Sequence, residues 1–139
     1  MPTETVSSLI QDFNDLEIQD RLNLLLEFSD NLPDLPQRYQ DHPDLLERVE
    51  ECQSPIYLFV EVNEKKVNLF FSAPPEAPTT RGFASILHSV IDGLSVDETL
   101  DVDDDFPAKI GLADAVSPLR MRGMRGMLAR IKRQVSEKS

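Results

Sequence analysis

Apolar residues return every three or four positions along the first thirty residues of this chain. Val6, Leu9, Ile10 and Phe13 share one helical face, which predicts a helix over about residues 3–13. Asn14 or Asp15 is placed to cap a second helix, whose stripe of Ile18, Leu22, Leu25 and Leu26 runs to about Ser29. Leu32-Pro33-Asp34-Leu35-Pro36 ends it, because proline has no amide with which to continue the ladder. Residues 31–44 then read as an irregular surface connection, with one helical turn around Asp44-Leu45-Leu46-Glu47.

The period changes at Ile56. Ile56 to Val62 and Val67 to Phe71 are rich in β-branched and aromatic residues, and Asn63-Glu64-Lys65-Lys66 between them predicts an antiparallel hairpin. Ile56, Leu58, Val60 and Val62 share one face, with Tyr57 and Phe59 on the other, so both faces are expected to be partly covered. A proline-rich link follows at 72–78, and Thr79 or Thr80 is placed to cap a third helix. Its stripe is Phe83, Ile86, Leu87, Val90 and Ile91, and Asp92-Gly93 closes it. Ser95-Val96-Asp97-Glu98 has capping-box spacing, and Asp103-Asp104-Asp105 reads as a solvated link. Ser117-Pro118 opens a last helix with Met121, Met124, Leu128, Ile131 and Val135 on one side. Gly123 and Gly126 lie inside that helix at a cost of ~1 kcal/mol each relative to Ala, so something there wants close approach or looseness.

These elements amount to one α+β domain over residues 1–139. No run approaches the ~20 apolar residues of a membrane span, and no basic-then-apolar leader precedes the first helix. With a single cysteine, that suggests a reducing compartment: the cytosol, or an organelle interior after loss of a presequence. The net charge of −11 is unevenly spread. Residues 1–117 carry seven Lys/Arg against 24 acids, whereas residues 118–135 carry six Lys/Arg and no acid. An acidic body repels phosphate backbones, which argues against nucleic-acid binding. The basic segment reads either as a helix face complementing its own domain or as a site for an acidic partner.

Little in the chain is equipped for catalysis. His42 and His88 read as solvated or hydrogen-bonded residues, no glycine-rich phosphate loop is present, and the acidic triplet lacks the alternation and glycine of a calcium loop. The carboxylates show no paired acid/base spacing. What stands out is Cys52, in the polar stretch Glu50-Glu51-Cys52-Gln53-Ser54-Pro55 immediately before the first strand. It is either a small core residue or a reactive sulfur. Glu50 and Glu51 should raise its pKa, so a functional thiol there needs a cation supplied by the fold or by a docking partner. A lone cysteine without a base is poorly suited to hydrolysis but adequate for accepting an already activated sulfur.

Four segments in order resemble the SufE family of cysteine-desulfurase partners. They are Leu32-Pro33-Asp34-Leu35-Pro36, Val49-Glu50-Glu51-Cys52-Gln53-Ser54, Arg81-Gly82-Phe83, and Ser117-Pro118-Leu119-Arg120-Met121-Arg122-Gly123-Met124. Two positions depart from the pattern: Glu51 stands where the family has glycine, and Pro74-Pro75-Glu76 stands in place of an acidic segment. If the backbone at Glu51 kept a positive φ, it would be strained.

The resemblance implies a small antiparallel sheet flanked by helices. It also implies that Cys52 accepts persulfide sulfur from a pyridoxal-phosphate cysteine desulfurase and passes it to an iron–sulfur assembly scaffold. The cofactor belongs to the partner, and this chain is implied to hold neither cofactor nor metal. It would act as a sulfur-transfer partner more than a stand-alone enzyme, as a monomer or weak homodimer. Arg120 matches the family arginine at the start of the last helix and is the candidate second residue, to stabilise the thiolate or meet the desulfurase. Two other readings stay open: a non-catalytic adaptor using Met121, Met124 and Leu128 as helix-in-groove anchors, and a cluster scaffold, disfavoured because one cysteine cannot hold a cluster.

Overall fold

The computed structural model describes residues 4–139. Two helices come first, α1 (Glu4–Asn14) and α2 (Ile18–Asp30). The expected start of α1 at residue 3 lies outside the described residues. A one-turn helix α3 (Gln37–Gln40) and a 3-10 turn (Pro43–Leu45) lead to a two-residue strand β1 (Glu47–Arg48). The hairpin follows as β2 (Tyr57–Asn63) and β3 (Lys66–Ser72), and then α4 (Pro78–Ile91), α5 (Val96–Leu100) and α6 (Phe106–Lys109). A 3-10 turn (Leu112–Asp114) precedes the long last helix α7 (Pro118–Lys138).

The sheet is antiparallel in the order β1-β2-β3. Pairing of Leu58 with Phe71, Val60 with Leu69 and Val62 with Val67 puts one apolar row on a single face. α7 and α4 cover that row, and Leu58, Val60, Val67 and Leu69 are at most 2% exposed. Full burial of such side chains contributes about 1.5–3 kcal/mol each. The opposite face is half covered, as its alternation led one to expect. There Tyr39 lays its ring 5.0 Å from Phe59 and 4.9 Å from Phe70, and its hydroxyl donates to Glu61. The α7 stripe is wholly interior, with Met121 at 2%, Leu128 at 1%, and Met124, Ile131 and Val135 at 0%. Met121, Met124 and Leu128 are therefore core residues, not free groove anchors.

Several boundaries differ from the sequence reading. The N-cap of α2 is Glu17, with no side-chain cap. Asn14 instead donates to Ile10 O and Lys109 O, tying the end of α1 to α6. Ile18 is 52% exposed and Leu26 36%, so the buried stripe of α2 narrows to Leu25 and its neighbours. α4 starts at Pro78 after Ala77, because proline presets the first helical φ and lacks only an N–H that would have been orphaned. The helical turn expected around residues 44–47 forms one residue earlier, and Glu47 joins the sheet. The hairpin loop is tighter than four residues. Asn63 pairs with Lys66, leaving Glu64 and Lys65 as a two-residue turn at φ 51° and 65°. The capping box of α5 and the Ser117 cap of α7 form as expected.

Candidate functional site

The loop 50–55 leaves the sheet where its ladder ends, at the bond from Val49 N to Ile56 O (2.9 Å). Inside it, Cys52 N donates to Val49 O (3.1 Å) and Ile56 N to Ser54 O (2.8 Å). Both backbone bonds are local, so the loop is fastened to the rest of the molecule by side chains. It lies across the N-terminal half of α7, where Gly123 and Gly126 leave the helix surface bare. A Cβ on Gly123 would stand 2.9 Å from Cys52 Sγ, and one on Gly126 would stand 2.6 Å from the Glu51 carboxylate. The two glycines are seats for consecutive loop side chains. That close approach is what their helix-propensity cost suggested.

Glu51 is fixed by Arg130, whose Nε (3.0 Å) and Nη2 (2.6 Å) both donate to Glu51 Oε1, while Nη1 donates to Glu47 Oε2 (2.6 Å). Glu47 also accepts from Arg133 and from Gln134 Nε2 (2.9 Å). Gln134 Oε1 in turn accepts from Val60 N (3.0 Å), sealing the sheet edge that short β1 leaves open. Burial is the largest single influence on the Glu47 and Glu51 carboxyls and pushes them up, but the hydrogen bonds and charges of Arg130 and the other partners together outweigh it, and both end below the usual carboxylate range. Glu51 adopts no positive φ, since Glu64 and Lys65 are the non-glycine residues that do among those described. The strain anticipated from replacing a glycine is absent; the acid is accommodated by a cation instead.

Cys52 itself is 8% exposed. Burial pushes its thiol up to about 11, the Glu51 charge adds to that, and Arg130 opposes it. At neutral pH the sulfur is a protonated, poorly nucleophilic thiol. Its neighbours Gln53, Ser54, Thr80, Leu119, Arg120 and Gly123 line a shallow cleft of about 60 Å³. Pockets for small molecules hold about 300–1,000 Å³, so in this closed arrangement the cleft is too small to enclose one.

Arg120 lies exposed on the rim of that cleft. It therefore shares a site with Cys52, but the cation that acts on the thiol in this closed arrangement is Arg130. Sequence reasoning missed Arg130 and Glu47. Their one signal was the demand for a cation near Cys52, and any of seven Lys/Arg in the last helix could have met it. His88 Nε2 sits 3.8 Å from Asp92 Oδ1 and His42 is exposed, both away from the thiol's cleft.

A three-stranded antiparallel sheet under helices, with one thiol folded beneath its own loop, defines a small α+β domain organised around a concealed cysteine. Known proteins share it. A SufE family model, described as an Fe-S metabolism associated domain, matches residues 7–135. An uncharacterized SufE-like protein of Mycobacterium tuberculosis is 48% identical over 133 residues, covering 95% of this chain and 92% of that one. SufE-like protein 1, chloroplastic/mitochondrial, of Arabidopsis thaliana is 28% identical over 104 residues, 75% of this chain and 27% of its own. Among solved structures, a hypothetical protein from Thermus thermophilus superimposes with a TM-score of 0.86 at 33% identity, covering 99% of this chain and 98% of that chain. The chain belongs to the SufE family, and with it to iron–sulfur metabolism.

Proposed function

We propose that Cys52 accepts sulfane sulfur from the persulfide of a cysteine desulfurase, stimulates that enzyme by clearing its product, and hands the sulfur to an iron–sulfur assembly scaffold. In the transfer, the Cys52 thiolate attacks the outer sulfur of the donor persulfide and a new S–S bond forms on Cys52. The old S–S bond breaks, and its electron pair leaves with the donor cysteine as a thiolate. The proton of Cys52 passes to solvent or to a base at the docked surface. No external oxidant or reductant enters the exchange.

The observation that supports this reading is the concealment of the sulfur, 8% exposed and held neutral on a loop whose own backbone bonds are local. A nucleophile of that kind reacts only when a partner lifts it out. A persulfide returned to the seat on Gly123 is shielded from oxidation and from stray reductant. Incubation with desulfurase and cysteine is expected to add one sulfur to Cys52, visible by mass spectrometry and removed by dithiothreitol. A Cys52→Ser chain is expected neither to take the adduct nor to stimulate sulfide release. Undiminished stimulation by that variant would overturn the carrier role.

A further inference from the structure

The outer edge of β3 is sealed at both ends and open between them. Val67 N donates to Leu94 O (2.8 Å) and Leu69 N to Asp92 Oδ1 (2.9 Å), so in this regular register the odd residues of β3 turn their amides and carbonyls away from β2. Val67 O accepts from Gly93 N (2.7 Å), and Ala73 O, just past the strand, accepts from Arg81 Nη1 (2.7 Å). Between these seals Leu69 O, Phe71 N and Phe71 O have no hydrogen-bond partner among the described residues, although Leu69 is 2% and Phe71 3% exposed. Main-chain groups so sheltered are nearly always paired. Both residues line a cleft of about 150 Å³ bounded by Pro33, Asp34 and Leu35 on one side and by His88 and Asp92, at the end of α4, on the other. The loop does not zip onto the strand itself: Pro33 and Pro36 have no amide, and Leu35 O already accepts from Gln40 Nε2 (2.7 Å). Compact ligands want about 300–1,000 Å³, so the cleft suits a short length of main chain. The strand advances roughly 7 Å from Leu69 to Phe71, the span of two or three paired residues. The charged side chains of this cleft include two carboxylates and no Lys or Arg. Asp34 is exposed and forms no ion pair among the described residues, and the same holds for Asp30, which shares a neighbouring cleft with it.

We infer that the open stretch of β3 takes up an extended, Lys- or Arg-bearing segment of another protein, which adds to the sheet as a short fourth strand. Main-chain bonds to Leu69 O, Phe71 N and Phe71 O hold the segment, as in other cases of strand addition to a free edge. Asp34 and Asp92 select for its basic side chains. A second copy of this chain is the poorer occupant, because pairing two such edges brings the same acids together on a molecule of net charge −11. The site is separate from sulfur transfer, since none of the residues lining this cleft lines that of Cys52.

The test adds a blocked pentapeptide of alternating lysine and valine, beginning and ending in lysine, to the intact chain at up to millimolar concentration. Amide hydrogen exchange is read residue by residue by NMR. The peptide is expected to slow exchange at Phe71 by on the order of tenfold or more, while Phe70 and Ser72, already bonded to β2, change little. The same peptide with its central amides N-methylated, and a counterpart with glutamate for lysine, are expected to give no such protection. Asp34→Lys, a change at an exposed loop position, is expected to weaken the lysine peptide by on the order of tenfold. Unchanged exchange at Phe71 with the lysine peptide present would overturn the inference. Equal binding of the N-methylated peptide would do the same, because charge alone would then account for the contact. Protection of Phe71 that rises with protein concentration in the absence of peptide would assign the edge to a second copy and overturn the basic partner.

Discussion

Glu51 keeps the neighbouring thiol quiet in two ways. Its charge adds to burial in raising the Cys52 pKa, and its pairing with Arg130 pins the loop that carries the sulfur onto α7. Both effects can be read from alkylation kinetics. For the native chain the iodoacetamide rate at Cys52 is expected to climb with pH well past the range of an ordinary thiol, levelling only near 11. In Glu51→Gln the negative charge is gone and the ion pair is reduced to a hydrogen bond from the Arg130 cation to a neutral amide oxygen. The plateau is therefore expected at lower pH and the rate at pH 8 to be higher. An unchanged profile would mean that the carboxylate neither tunes nor fastens the thiol. Cys52 was legible in the sequence because no other thiol competes for the role, and the effect of an adjacent acid is fixed by covalent proximity. Arg130 was not, since it is 79 residues away and one of several similar cations on its helix.

At the scale of elements, α7 does more than cap the sheet. Gly123 and Gly126 give up helix propensity to let the loop lie close, so alanine there sets two effects against each other. Replacing Gly123 with Ala favours the helix by about 1 kcal/mol, while its Cβ displaces Sγ from 2.9 Å. Gly123→Ala is expected to raise the alkylation rate of Cys52 by on the order of tenfold, equivalent to ~1.4 kcal/mol in loop opening. The melting temperature should move by no more than a few degrees. Protection equal to the native chain's would show that the helix surface is not the seat of the thiol. The longer elements were legible because periods of 3.6 and 2 repeat within them. β1, α3 and α6 were not, because two to four residues complete no period and their form is imposed by what they pair or pack with.

For the molecule as a whole, the carboxylates of Glu47 and Glu51 join the β1–β2 region to the last helix. Both have pKa values below their ordinary 4.5 in the folded chain. A carboxyl whose folded pKa is depressed binds fewer protons when folded than when unfolded. Its stabilisation is fully present above about 4.5 and is lost as pH falls through the folded value. Acid unfolding followed by circular dichroism is expected to show a drop in stability below that pH. The drop should be shallower in Arg130→Met, where the two carboxylates have lost their shared partner. Parallel acid curves would remove Arg130 from the network's energetics.

Local rules settled much of this protein within the reach of a turn or two of chain. The helical stripes, the hairpin, the caps at Ser95 and Ser117 and the singling out of one thiol all follow from interactions between residues a few positions apart. Folding alone decided which charges met. Compaction carried Arg130 across 79 residues to Glu51, placed bare helix backbone under Cys52, and set Arg120 on the rim of the thiol's cleft. Electrostatic pairing depends on distance in space and on burial, and neither is encoded in spacing along the chain.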